Sequence, residues 1–123
     1  MKLFAVFICL VFCYSAFAFK RPGFEDIPDS ELPSLQTIVS AGIQGALSLA
    51  RNNPELALGS SIFHVDRIPI KQRNIRKDGI TYLFVAGVSD TANSAVKAVV
   101  ACELEQDAKT GSFTLRKYNV KRA

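Results

Sequence analysis

The sequence predicts an α+β domain in which one long helix packs against an antiparallel β-sheet. The helix is predicted because apolar residues between Leu35 and Ala50 recur at steps of three and four, which places them on one face. The sheet is predicted because four successive segments after Ser61 are β-branched or alternate in polarity, and short polar turns separate them. Short connections favour hairpins, so we expect an antiparallel sheet that buries one face under the helix.

The first eighteen residues, MKLFAVFICLVFCYSAFA, have the pattern of a secretory signal peptide. Lys2 supplies the positive start, residues 3–14 form the apolar run, and Ala16 and Ala18 form a small-residue cleavage site before Phe19. The apolar run is short for a membrane anchor. We therefore predict that residues 1–18 are removed and that the protein is secreted, extracellular and without a transmembrane segment.

The remaining chain is predicted to form an extended N-terminal arm, residues 19–28, and a single domain, residues 29–123. The arm, FKRPGFEDIP, has two prolines, a glycine and no periodicity, so it should be mobile unless something docks it. Loss of the signal peptide removes Cys9 and Cys13 and leaves Cys102 without an intramolecular partner. Cys102 lies on the apolar face of a predicted strand, which favours a buried thiol over a nucleophile or an interchain disulfide.

The predicted helix has residues typical of a helix N-terminus and two glycines that disfavour helix formation. Asp29 and Ser30 are candidate caps, and Pro33 is tolerable only within the first turn. Gly42 and Gly45 each cost the helix about 1 kcal/mol relative to alanine. A close backbone approach, with the helix lying against a curved sheet, would explain both glycines.

Four strands are predicted, over residues 62–70, 80–88, 95–106 and 112–120, with turns over residues 73–79, 89–94 and 107–111. Pro69 predicts an edge or a bulge in the first strand. In the third strand, alternate residues from Val96 to Leu104 are apolar and should face the core. Glu103 and Glu105 alternate with them and should lie on a solvated face.

Composition and motifs do not favour catalysis or nucleic-acid binding. The chain has 15 Lys and Arg against 11 Asp and Glu, and removal of Lys2 leaves a net charge of +3. Such mild basicity is typical of a solvated surface, although it leaves a membrane-active cationic protein as a third alternative. His64 is the single histidine, and no partner for a triad or a metal site stands out in sequence. We predict no enzymatic activity and no cofactor.

Two local stretches indicate a family. The helix followed by four strands, with DGITYLF entering the second strand and KTGSFTLRKY turning into the last, resembles the cystatin family of papain-like cysteine protease inhibitors. The resemblance covers roughly residues 24–118. It implies a cystatin-like monomer with one long helix against a curved, four- to five-stranded antiparallel sheet. It also implies a protease-binding wedge built from an arm glycine, a Gln-x-Val-x-Gly hairpin and a Pro-Trp hairpin.

The wedge positions are carried over by alignment on Gly79 and Tyr82. The arm glycine corresponds to Gly23, and the first hairpin reads IRKDG, with Ile75 and Lys77 in the places of glutamine and valine. The second hairpin reads DAKTG, without the Pro-Trp pair. The residues that the resemblance assigns to protease binding are Gly23, Ile75, Arg76, Lys77, Asp78, Gly79, Ala108, Lys109 and Gly111.

These departures leave two functions open. A lysine buried in a protease cleft without a partner costs several kcal/mol, whereas valine would gain about 1–2 kcal/mol there. One hypothesis is an inhibitor of a papain-like cysteine protease with a retargeted wedge. The other is a non-inhibitory secreted module of the same fold that binds another extracellular protein or has a structural role.

Overall fold

The computed structural model describes residues 22–58 and 62–123. The elements in chain order are β1 (Glu25–Asp26), a 3₁₀ helix (Asp29–Leu35), α1 (Gln36–Ala50), a second 3₁₀ helix (Pro54–Leu56), β2 (Phe63–Arg76), β3 (Gly79–Asp90), β4 (Lys97–Asp107) and β5 (Phe113–Arg122). All strand pairs are antiparallel and the sheet order is β1-β2-β3-β4-β5. The predicted α+β architecture is confirmed, with five strands. The predicted signal peptide, residues 1–18, lies outside the described residues.

The helix buries the face that its sequence predicts and packs against β4 and β5. Its buried residues are Val39, Gly42, Ile43, Ala46, Leu47 and Ala50. These side chains meet the core-facing side of the sheet, where Phe84, Val100 and Cys102 are fully buried. Burial in these apolar surroundings raises the pKa of the Cys102 thiol to about 12, so the thiol is neutral at physiological pH.

The beginning of the helix differs from the prediction. Residues 29–35 form a 3₁₀ helix, and neither Asp29 nor Ser30 makes a side-chain capping bond there. Pro33 lies within this segment, and proline has no N–H to donate and clashes with the carbonyl four residues earlier. The α-helical hydrogen bonds therefore begin only after Leu35. The Asp29 carboxylate instead forms an ion pair with Lys71, with Oδ1 and Nζ 2.6 Å apart.

The two helix glycines have different surroundings. A Cβ added at Gly42 would lie 2.5 Å from Leu104 Cδ1 and 3.1 Å from Cys102 Sγ. Helix and sheet therefore lie close together at Gly42, but the atoms that approach are side-chain atoms of β4 and not its backbone. At Gly45 the nearest atom would be Leu115 Cδ2 at 3.7 Å, an ordinary contact. The steric explanation predicted for Gly45 is therefore wrong.

Each of the four predicted strands ends later than predicted, most of all the first one, at the first hairpin. β2 continues through Arg76, and the turn is reduced to Lys77 and Asp78, so the turn predicted over residues 73–79 is wrong. The segment is polar, but pairing with β3 satisfies its backbone from Ile70 to Arg76. Register shifts between Val65 and Ile70 bracket Pro69, which confirms the predicted bulge.

Glu103 does not lie on a solvated face. Its exposure is 7%, and it sits in register between Leu83 of β3 and Lys117 of β5. A central position in a five-stranded sheet places neighbouring side chains on both sides of the carboxylate, which the strand pattern alone does not reveal. Glu105, nearer the strand end, is half-buried and paired with arginines.

The described part of the N-terminal arm is docked. β1 pairs with β2 through Glu25 opposite Arg73 and Asp26 opposite Gln72, and the Ile27 N–H donates to the Lys71 carbonyl at 2.9 Å. Ile27 is 2% exposed within the core. The condition stated for the arm, mobility unless something docks it, is thus met by docking in this part, because the edge of β2 and the core both hold it.

Candidate protein-binding edge

The two hairpin tips meet at one end of the sheet. The Ala108 N–H donates to the Asp78 carbonyl at 3.0 Å, which joins the second tip to the first. Gly79 lies opposite Asp107, and a Cβ added at Gly79 would be only 2.1 Å from the Gln106 carbonyl oxygen. Glycine is therefore required at position 79 for the strands to approach this closely.

The arm glycine lies at the same end. A Cβ added at Gly23 would lie 3.4 Å from the Asn74 side-chain oxygen, and Asn74 is two residues before the end of β2 at Arg76. Gly23 has a φ of +88°, in the left-handed region that favours glycine. The structure thus brings the arm and both hairpins to one edge, which we call the hairpin edge.

The second tip is a tightly bonded turn. Asp107 Oδ1 accepts from the Lys109 N–H at 2.7 Å and from the Thr110 N–H at 3.1 Å, and these bonds hold the pKa of Asp107 below its usual value. The Gly111 N–H donates to the Asp107 carbonyl at 2.8 Å, with Gly111 at a φ of +73°. This bonding leaves the side chains of Ala108 and Lys109 exposed at the apex.

The charges of the hairpin edge are divided between paired and unpaired cations. Glu105 accepts from Arg76 Nη2 at 3.0 Å and from Arg116 Nε at 2.8 Å, which links β2, β4 and β5. Among the described residues, Lys77 and Lys109 make no ion pair. Arg76 is thus paired within the hairpin edge, and Lys77 and Lys109 are the cations of this edge that a partner could bind.

A row of three apolar side chains and one glutamine crosses the helix-facing side of the hairpin edge. Ile75, Ile80, Gln106 and Phe113 lie in register across four strands. Ile75 is 61% exposed and Phe113 is 37% exposed. A cleft of about 340 Å³ opens beside Ile75 and Ile80 and reaches Ala108 and Gly111. Ile80 and Phe113 were not among the site residues predicted from the sequence, because only the strand register places them on the same face as Ile75.

Arg73 joins the arm to the rest of the domain. Its Nε lies 3.0 Å from Glu25 Oε1 in β1, and its two Nη atoms bind both carboxylate oxygens of Glu31 in the first 3₁₀ helix. Hydrogen bonding to Glu31 and then to Glu25 raises the pKa of Arg73, and the hydrogen bond from Arg73 lowers the pKa of Glu31 below 4.5. The bidentate geometry fixes the arm beside the hairpin edge.

Acid should weaken this attachment. The pKa of Glu31 is lower in the folded chain than in the unfolded chain. The ionised Glu31 carboxylate therefore stabilises the fold fully above about pH 4.5, and this stabilisation is lost as the pH falls through the pKa of Glu31 in the folded chain. We expect the free energy of unfolding to fall less between about pH 6 and about pH 3 in Glu31→Gln than in the wild type. Urea denaturation at both pH values measures this difference.

The control for this prediction is Glu55→Gln. Among the described residues the Glu55 side chain makes no ion pair, so this variant should keep the wild-type acid sensitivity. An equal decrease in the free energy of unfolding on acidification in Glu31→Gln and Glu55→Gln would contradict the role assigned to the Arg73–Glu31 pair.

His64 has partners that sequence analysis did not find. His64 Nε2 lies 2.8 Å from Asp66 Oδ1 and 3.3 Å from Ser89 Oγ, and Ser89 Oγ donates to Asp66 Oδ1 at 3.0 Å. In a catalytic triad the carboxylate and the serine use opposite ring nitrogens. Here both use Nε2, and the serine proton is directed to Asp66. This triangle is therefore not arranged to activate Ser89.

The fold and the hairpin edge define an α+β module with one helix and three converging segments at one end. The sequence matches no family model in a scan of known protein families, and a search of curated proteins finds no similar protein. In the part of the chain that the structure describes, no helix is long and apolar enough to cross a bilayer. No group of three potential metal-ligating side chains occurs in residues 22–58 and 62–123.

Proposed function

We propose that the protein is a secreted cystatin-like inhibitor that inserts its hairpin edge into the cleft of a papain-like cysteine protease. The observation that carries this proposal is the convergence of Gly23, the turn at Lys77 and Asp78, and the turn at residues 108–112. These segments are far apart in sequence, yet they form one continuous edge. A wedge of this kind blocks a cleft by filling it from several loops at once.

Two further features support insertion into a cleft. The edge is rigid, because the tips are hydrogen-bonded to each other and Arg73 holds the arm, so little conformational entropy is lost on binding. The exposed Ile75 and Phe113 supply apolar contact area beside the tips. The exposed Lys77 and Lys109 favour a protease whose cleft carries acidic groups.

The second candidate is a non-inhibitory module that binds another extracellular protein through the same edge. It is favoured by the position of the two lysines at the apices, where a papain-like cleft would have to desolvate both ammonium groups. An acidic, solvated partner surface would pair with them without that cost. The two candidates therefore differ in whether Lys77 and Lys109 must be buried.

The test is inhibition of a panel of papain-like proteases by the protein secreted from cells that express the full chain. The double variant Lys77→Val, Lys109→Trp is measured beside the wild type. If the edge is a retargeted inhibitor, the wild type inhibits at least one protease, and the double variant no longer inhibits that protease preferentially. If the protein is a non-inhibitory module, only the double variant inhibits.

The matched control is Lys97→Val, Lys117→Trp, which makes the same chemical changes away from the hairpin edge. It should inhibit no more strongly than the wild type. Absence of inhibition by both the wild type and the tip variant would overturn the wedge proposal.

A further inference from the structure

A second cleft lies at the end of the sheet opposite the hairpin edge, with a volume of about 570 Å³. It lies on the face that points away from the helix, since its floor residue Gly87 alternates with the core-facing Ala86 and Val88. Most of its lining residues come from three neighbouring strands: His64 and Arg67 of β2, Gly87 and Ser89 of β3, and Lys97 and Val99 of β4. Ser94, in the turn between β3 and β4, and Ala123, after β5, also line it. We call this the outer cleft.

Gly87 gives the outer cleft its depth. It lies in register between Arg67 and Val99, and a Cβ added there would lie 3.4 Å from both Cγ and Nε of Arg67. The Arg67 side chain therefore lies across the space that glycine leaves open. This orientation points its guanidinium group over the middle strand rather than away from the sheet.

Within residues 22–58 and 62–123, the two cations of the outer cleft, Arg67 and Lys97, have no acidic partner. Lys71, Arg73 and Arg76, the other basic residues of β2, each pair with a carboxylate. Among the described residues, Arg67 and Lys97 form neither a side-chain hydrogen bond nor an ion pair.

Asp66 is the carboxylate side chain that lines the outer cleft, and its charge is already engaged. Its Oδ1 accepts from Ser89 Oγ at 3.0 Å and lies 2.8 Å from His64 Nε2. Arg67 and Lys97 are both exposed and both line the cleft. Their N–H donors, which make no hydrogen bond within the described residues, match the several acceptor oxygens of a tetrahedral oxyanion.

We propose that the outer cleft binds a small molecule through its phosphate or sulfate group. Arg67 supplies a forked set of N–H donors, and Lys97 supplies a point charge. Ser94 also lines the cleft and supplies a hydroxyl group. The volume is within the range of small-molecule sites and exceeds that of a single oxyanion. The remaining space, bounded by His64, Asp66 and Val99, would hold the body of the ligand. This site is separate from the hairpin edge and does not depend on the proposed inhibitory function.

The test is a titration of ¹⁵N-labelled protein followed by amide chemical shifts. The probes are inorganic phosphate, inorganic sulfate, glucose 6-phosphate and N-acetylglucosamine 6-sulfate, which separate the free ion from the two kinds of ester. We expect saturable shifts at Gly87, Ser89 and Lys97, with at least one ester bound about tenfold more tightly than its inorganic ion. Arg67→Gln and Lys97→Gln should each weaken that ester by about tenfold.

The matched control is Lys77→Gln, which removes the same charge at the opposite end of the sheet and should leave ester binding unchanged. Retention of wild-type amide shifts away from the outer cleft shows that each variant is folded. The proposal is overturned if no probe gives saturable shifts at the cleft, if Lys77→Gln weakens binding as much as Lys97→Gln, or if the esters bind no more tightly than the inorganic ions.

Discussion

Phe84→Ala is expected to lower the free energy of unfolding by about 3–5 kcal/mol. Phe84 is completely buried at the centre of β3, and its ring stacks on that of Tyr82 with centroids 5.8 Å apart. The substitution removes apolar contact area and leaves a cavity between the sheet and the helix. Since domains of this size are stable by about 5–15 kcal/mol, much of the total would be lost. Urea denaturation followed by circular dichroism measures the change.

Phe113→Ala is the matched control, because it deletes the same ring at a position that is 37% exposed. Phe113 does not belong to the buried core cluster, so we expect a loss of about 1 kcal/mol. A loss from Phe84→Ala no larger than that from Phe113→Ala would contradict the assignment of the core to the space between helix and sheet.

Gly79→Ala is the second large effect, with an expected loss of about 3 kcal/mol from a single added methyl group. The new Cβ would lie 2.1 Å from the Gln106 carbonyl oxygen, and a backbone atom in a paired strand cannot move aside as a side-chain end can. The strands must separate locally, which also strains the bond between the Ala108 N–H and the Asp78 carbonyl. Amide exchange at Ala108 should therefore accelerate along with the loss of stability.

Gly45→Ala makes the same chemical change where the added Cβ meets only an ordinary contact at 3.7 Å. Alanine is the better helix former, so this variant should be more stable than the wild type by about 0.5–1 kcal/mol. A lower free energy of unfolding in Gly79→Ala together with a higher one in Gly45→Ala would establish the close approach at Gly79. A stability equal to or above that of the wild type in Gly79→Ala would contradict it.

The first hairpin explains why the sequence predicts only part of the candidate site. Residues 71–76 are rich in charge, and a local pattern of this kind indicates a turn. Their partners come from elsewhere in the chain: Asp29 for Lys71, Glu25 and Glu31 for Arg73, and Glu105 for Arg76. Backbone pairing with β3 makes this polar segment a strand, and the distant carboxylates neutralise its cations.

The sequence by itself determined the α+β class, the buried face of the helix, an irregularity of the first strand at Pro69 and the burial of Cys102. Each depends on periodicity or on the covalent limits of one residue, and these properties are encoded by near neighbours. Only the tertiary structure decided that the arm docks on β2, that Gly79 touches Gln106, and that Arg67 and Lys97 face one cleft. The physical reason is that these contacts join residues far apart in the chain, and strand register rather than local preference determines which side chains meet.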